Sequence, residues 1–237
     1  MTIHEDALIF SGPAGAIETR IDVPAHPRGL ALVCHPHPLF GGANTNKVVH
    51  TLAKTLAALG YLALRPNFRG VGASAGTHTH GQAETDDMLA LIAQAQAQFG
   101  DTLPGKTSAG KTSAGKTSAG ESSTDEIPLV LAGFSFGGYV ITRVAAALAE
   151  SGQTIERIVL VAPATGHIAG DREYTASPVG SQSLIIHGAL DDTVPLANVL
   201  AWAEPQNLPV VVIPGADHFF HGRLQTIRDI VRRNWPC

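Results

Sequence analysis

The chain has 237 residues, 44% of them hydrophobic, enough to build one sizeable core and a single domain. Charged residues make up only 15% and the formal net charge is −4, with no basic stripe to meet a nucleic acid and no apolar run of membrane-spanning length. Cys34 lies inside an apolar run and Cys237 is the last residue, an arrangement that suits reduced thiols. Met1 to Phe10 carries Glu5 and Asp6 rather than a basic and then apolar leader, so the expected location is the cytoplasm.

Taken in chain order, strand-like and helix-like runs alternate. Ile17 to Val23 alternates apolar and polar residues, as a half-buried strand does. Leu30 to Cys34 is continuously apolar, as a central parallel strand is. Lys47 to Leu59 gathers Val48, Leu52 and Leu56 on one helical face and is closed by Gly60. Tyr61 to Leu64 predicts the next strand, and Glu84 to Phe99 an amphipathic helix with Met88, Leu91 and Ile92 inward. Leu129 to Ala132 is a strand, followed by an Ala-rich helix from Tyr139 to Glu150. Ile158 to Ala162, Leu184 to Ile186 and Val210 to Ile213 read as further buried strands, and Arg223 to Asn234 as a closing helix. Such alternation predicts an α/β fold, a mostly parallel sheet with helices on both faces.

One stretch breaks the pattern. Lys106 to Gly120 repeats Lys-Thr-Ser-Ala-Gly three times, too short and polar to bury a core. It reads as a flexible low-complexity insertion, at about 101–126, on the side of the sheet away from the strand C-terminal ends.

The chemistry gathers at three places. Gly133-Phe134-Ser135-Phe136-Gly137 fits G-x-S-x-G between a strand and a helix, a tight turn that lifts a serine hydroxyl into the open. A serine needs a base, and the base needs a carboxylate to orient it. Downstream, Gly188-x-x-Asp191-Asp192-x-Val194-Pro195 follows one apolar strand, and Gly215-x-x-His218-Phe219-Phe220 follows the last. All three candidates fall where strands of a parallel sheet end.

With these motifs the chain resembles the α/β-hydrolases over nearly its whole length. The acid-loop pattern selects Asp191 over Asp192, and Gly215-x-x-His218 matches the histidine loop. The resemblance implies a catalytic set of Ser135, Asp191 and His218, needing no cofactor and no metal. An oxyanion hole takes two donors. One is the N–H of Phe136, after the nucleophile. The other lies in His35-Pro36-His37-Pro38-Leu39-Phe40, where the prolines have no N–H and His37 and Leu39 are the nearest donors; the resemblance favours His37, with Leu39 as the alternative. The His-Pro-His-Pro loop, with Asn67-Phe68-Arg69-Gly70-Val71-Gly72-x-Ser74, is similar to small bacterial hydrolases without a cap domain, near the dienelactone-hydrolase and esterase branches. Pro163 to Ser183 is too short for a helical cap, which implies an open site.

Phe40, Tyr174, Val194 and Phe219 lie on the loops expected around the serine and are candidate pocket walls. Gly70-x-Gly72-x-x-Ala75 also fits a dinucleotide fingerprint, but the acidic residue that motif wants about 20 positions on is missing. His35-x-His37 and His78-x-His80 have no ligand-spaced Cys or carboxylate to complete a metal site. The reading is hydrolysis of a small carboxylic ester, or thioester, through an acyl-enzyme. A peptidase or amidase of the same fold and a non-catalytic ligand-binding relative are the alternatives. The expected partner is a small-molecule ester, with neither nucleic acid nor membrane; acyl length and oligomeric state are left open.

Overall fold

The computed structural model describes residues 3–103, 126–170 and 172–235. The three Lys-Thr-Ser-Ala-Gly repeats, and Cys237, lie outside the described residues.

Ten strands and five α-helices follow one another among the described residues. They are β1 (Ile3–Gly12), β2 (Gly15–Pro24), β3 (Gly29–Cys34), α1 (Lys47–Ala58), β4 (Tyr61–Pro66), α2 (Gln82–Phe99), β5 (Leu129–Phe134), α3 (Phe136–Glu150), β6 (Arg157–Val161), β7 (Gly166–Ile168), β8 (Arg172–Tyr174), β9 (Ser183–Gly188), α4 (Leu196–Ala203), β10 (Val210–Ile213) and α5 (Leu224–Arg233). Eight strands form one sheet in the order β1-β2-β4-β3-β5-β6-β9-β10. From β4 to β10 every pairing is parallel; β1 and β2 add an antiparallel edge. The short strands β7 and β8 pair with each other.

The continuous apolar strands are explained by two cores, one on each face. Along β3, Leu30, Leu32 and Cys34 join one cluster, and Ala31 and Val33 the other. The first cluster takes Met88, Leu91 and Ile92 of α2, Val140 and Val144 of α3, and Val199 of α4. The second takes Val48, Leu52 and Leu56 of α1 with Ile227 and Val231 of α5. A strand buried on both sides cannot alternate with polar residues. The fold is that of an α/β-hydrolase without a cap: among the described residues, only β7 and β8 stand between β6 and β9.

Three elements depart from the sequence reading. β1 has a largely exposed face and an irregular pattern, so it carries no clear period. α4 spans only Leu196–Ala203, behind Pro195, too short for periodicity to declare it. β10 is not a buried strand but an edge strand: Val210 and Val211 are half-buried and Val212 is exposed.

The glycine-rich loop after β4 is a packed turn. The Oε2 of Glu18 accepts from Asn67 Nδ2 and the Ala73 N–H, at 2.9 and 2.8 Å. A Cβ on Gly72, whose φ is +57°, would meet that carboxylate at 2.2 Å. A loop wrapped on a carboxylate repels a pyrophosphate rather than cradling one.

Candidate active site

Ser135 sits between β5 and α3 with φ 55° and ψ −120°, a backbone region that L-residues rarely occupy. The surrounding packing holds it there. Its N–H donates to the Val161 carbonyl over 3.0 Å, and its carbonyl accepts from the Ala164 N–H over 3.0 Å. The two flanking glycines are required by close approach. A Cβ on Gly137 would lie 2.4 Å from the Cys34 carbonyl oxygen, and one on Gly133 would lie 2.4 Å from that of Gly137.

The loops after β9 and β10 bring Asp191 and His218 to this serine. The Ser135 hydroxyl and His218 Nε2 are 3.0 Å apart, and His218 Nδ1 and Asp191 Oδ2 are 2.7 Å apart. A carboxylate only accepts, so the proton of the neutral imidazole belongs on Nδ1 and the hydroxyl donates to Nε2. The other oxygen of Asp191 accepts the N–H of Thr193 at 3.0 Å and of Val194 at 2.7 Å. Asp191 thereby accepts three hydrogen bonds, whereas Asp192 is exposed to solvent. Phe134 packs on the His218 ring at 5.1 Å and Phe219 at 5.2 Å, so that the imidazole is almost entirely enclosed.

The loop after β3 closes the other side. His35 is fully buried: its Nε2 accepts the Phe68 N–H at 2.9 Å, and Nδ1 donates to the Pro36 carbonyl at 2.6 Å. Both ring nitrogens are thus committed to backbone, and burial pushes the imidazole down to about 4. His37 Nδ1 accepts the Leu39 N–H at 3.2 Å. That engages the Leu39 donor, while the N–H of His37 itself has no acceptor among the described residues. The Phe136 N–H is likewise free, as the first residue of α3. Burial, with His78 next, also pushes the His37 ring down to about 4, so it is neutral at physiological pH.

The four candidate pocket residues separate. Phe40 and Phe219 are exposed, Phe40 beneath the Arg172 guanidinium at 4.4 Å. Tyr174 is buried against Phe136 and Tyr139, with ring centroids 6.0 and 5.0 Å away. Val194 was expected to line the pocket, but it has no exposed surface and belongs to the core; its contribution is the backbone that holds Asp191.

Two histidines escape the motif reading. His187, at the end of β9, has no exposed surface, and its Nε2 donates to the Val194 carbonyl at 2.9 Å. A polar residue closing the apolar run Leu184 to Ile186 is the available signal. His78 stacks between His37 and Phe136, at 4.5 and 5.2 Å, with the Glu84 carboxylate 2.8 Å from Nδ1 but not aligned as a hydrogen bond. Glu84 is held by Thr79 and the Gly81 N–H. Among the described residues no group of three or more His, Cys, Asp and Glu is arranged to hold a metal ion.

This architecture agrees with known proteins. The model of a family described as "Thioesterase domain" matches residues 67–187, just over half of the chain, from the loop after β4 to the end of β9. The chain belongs to the thioesterase-domain family of α/β-hydrolases. An uncharacterized protein of Rickettsia prowazekii is 30% identical over 221 residues, covering 90% of this chain and 81% of that protein. Among solved structures, an α/β serine hydrolase without a lid from Xanthomonas campestris is 32% identical, with a TM-score of 0.76 over 99% of this chain and 94% of that one. An α/β serine hydrolase homologue from Coxiella burnetii is 34% identical, with a TM-score of 0.74 over 98% and 97%. A dienelactone hydrolase from Anabaena variabilis, 16% identical with a TM-score of 0.63, shares the fold. The protein is accordingly a hydrolase of the α/β serine type.

Proposed function

We propose that the protein hydrolyses small carboxylic esters, or thioesters, through an acyl-enzyme formed on Ser135. The observation that carries this reading is the unbroken chain from the Ser135 hydroxyl to His218 at 3.0 Å and on to Asp191 at 2.7 Å. His218 removes the hydroxyl proton as Ser135 attacks the carbonyl carbon, then returns it through Nε2 to the leaving oxygen or sulfur. Asp191 keeps the imidazole in the needed tautomer and balances the imidazolium. The Phe136 and His37 N–H groups take the developing oxyanion. Water, activated by the same histidine, then releases the acid. The thioester branch draws support from the family description.

The substrate on this reading is a small molecule, with neither nucleic acid nor membrane as partner and with no metal or cofactor in the reaction. No helix among the described residues is long and apolar enough to cross a membrane. We place the protein in the cytoplasm, a setting in which the buried thiol of Cys34 stays reduced.

The test is covalent labelling by a fluorophosphonate, read by intact mass, beside turnover of p-nitrophenyl acetate. Labelling that disappears in Ser135→Ala supports the reading. A protein that is neither labelled nor active overturns it.

A further inference from the structure

The two flanks of Ser135 differ, and the difference bears on substrate class. On the face of the sheet covered by α2 and α3, Phe136, Tyr139 and Tyr174 are all buried and pack on one another. His78 fills the space beside them, only 5% of its side chain exposed. These four side chains leave little room on that flank. On the face covered by α1 and α5 there is a cleft of about 580 Å³. Its lining includes Phe219, whose ring packs on His218 at 5.2 Å, and Gly41, at the end of the His37 loop, so that it adjoins the catalytic residues rather than containing them. Phe219 and Leu224 give it apolar surface, and Thr45, Lys47 and His221 give it polar groups. Its volume is that of a site for a whole small molecule.

Chemistry assigns the two flanks. The leaving group receives its proton from His218 Nε2, so it departs on the His218 side. The acyl substituent points away from His218. The geometry points to the cleft as the leaving-group subsite, and to a substrate that joins a small acyl group to a bulky, amphipathic alcohol or thiol. This inference rests on the hydrolase reading above and deepens it.

Two series of esters test it. One holds the leaving group as p-nitrophenol and lengthens the acyl group from acetyl through butyryl to octanoyl. The other holds acetyl and enlarges the leaving group from phenol to 2-naphthol. The expected result is a fall in kcat/KM of about tenfold or more along the first series and none along the second. Thr45 is exposed, so Thr45→Trp can narrow the cleft without disturbing the core. It should lower the naphthyl-to-phenyl acetate ratio of kcat/KM by about tenfold. A wild-type protein that favours octanoyl over acetyl esters, or a Thr45→Trp variant that loses long acyl chains instead of naphthyl esters, overturns the assignment. A readout without turnover separates this from the reaction itself: 2-naphthol titrated into Ser135→Ala, followed by its fluorescence. Saturable binding that Thr45→Trp weakens keeps the cleft as a ligand site even if no ester is hydrolysed. No binding removes the subsite even if esters are hydrolysed.

Discussion

His187 ties the end of β9 to the turn that carries the acid: its Nε2–H donates to the Val194 carbonyl at 2.9 Å, and the same nitrogen lies 3.5 Å from Asp191 Oδ2. Val194 in turn donates its own N–H to Asp191 Oδ1. The imidazole is completely buried, and burial lowers its pKa, against the raising influence of Asp191. It therefore works as a neutral donor. Replacing it with Ala should loosen the turn and lower kcat by about ten- to a hundredfold, since small misplacements of catalytic groups cost that much. Fluorophosphonate labelling rates, measured beside thermal unfolding, check this. A His187→Ala protein that folds and is labelled at the wild-type rate would show that the turn holds itself.

Ser135→Ala and His218→Ala should each reduce kcat on an activated ester by about 10⁴-fold or more while the fold persists. The double variant should be no worse than either single one, because the groups act as a unit. Asp191→Asn should be severely impaired and Asp192→Asn nearly normal, since Asp192 is exposed and Asp191 bonds His218. A dead Asp192→Asn beside an active Asp191→Asn would reassign the acid.

Gly137→Ala should fail at the level of folding or of the elbow. The new methyl carbon would lie 2.4 Å from the Cys34 carbonyl oxygen and 2.5 Å from that of His35, both backbone atoms of the strand next to β5 and the loop that follows it. Overpacking against rigid backbone costs about 1–3 kcal/mol or more. Urea denaturation measures it; wild-type stability with full activity would contradict the contact.

Acid should destabilise the fold through His35. Folding holds its ring neutral down to about 4, whereas the unfolded chain takes up a proton near 6.5. Between those values the unfolded state binds more protons, so the contribution to stability is complete above the upper value and shrinks as pH falls through the window. At about pH 5 the loss is on the order of 2 kcal/mol. Gln at this position can keep a donor and an acceptor without titrating. Denaturation midpoints of His35→Gln should therefore fall less between about pH 7.5 and 5 than those of the wild type. Parallel pH dependence in the two proteins would place the titration elsewhere.

The sequence by itself determined the sheet, because strands buried on two faces must be continuously apolar, and Leu30 to Cys34, Leu129 to Ala132 and Leu184 to Ile186 are. It also marked Ser135, the Asp191-Asp192 pair and His218, because each follows an apolar run beside glycines that tight turns demand, and the resemblance to α/β-hydrolase motifs chose Asp191 from the pair. Tertiary structure decided what depends on packing across the sheet. Val194, expected at the pocket wall, is interior, and His187, unremarked in the sequence, stands behind the acid; solvent exposure of a loop residue is set by distant neighbours, not by its own chain. The edge position of β10 was hidden because Val210 to Ile213 is as continuously apolar as an interior strand, although Val212 is exposed, and β1 was hidden because its largely exposed residues carry no regular period. The cleft that reaches from Gly41 to Phe219 is of the same kind, since residues of α1, α5 and two loops far apart in the chain line it together.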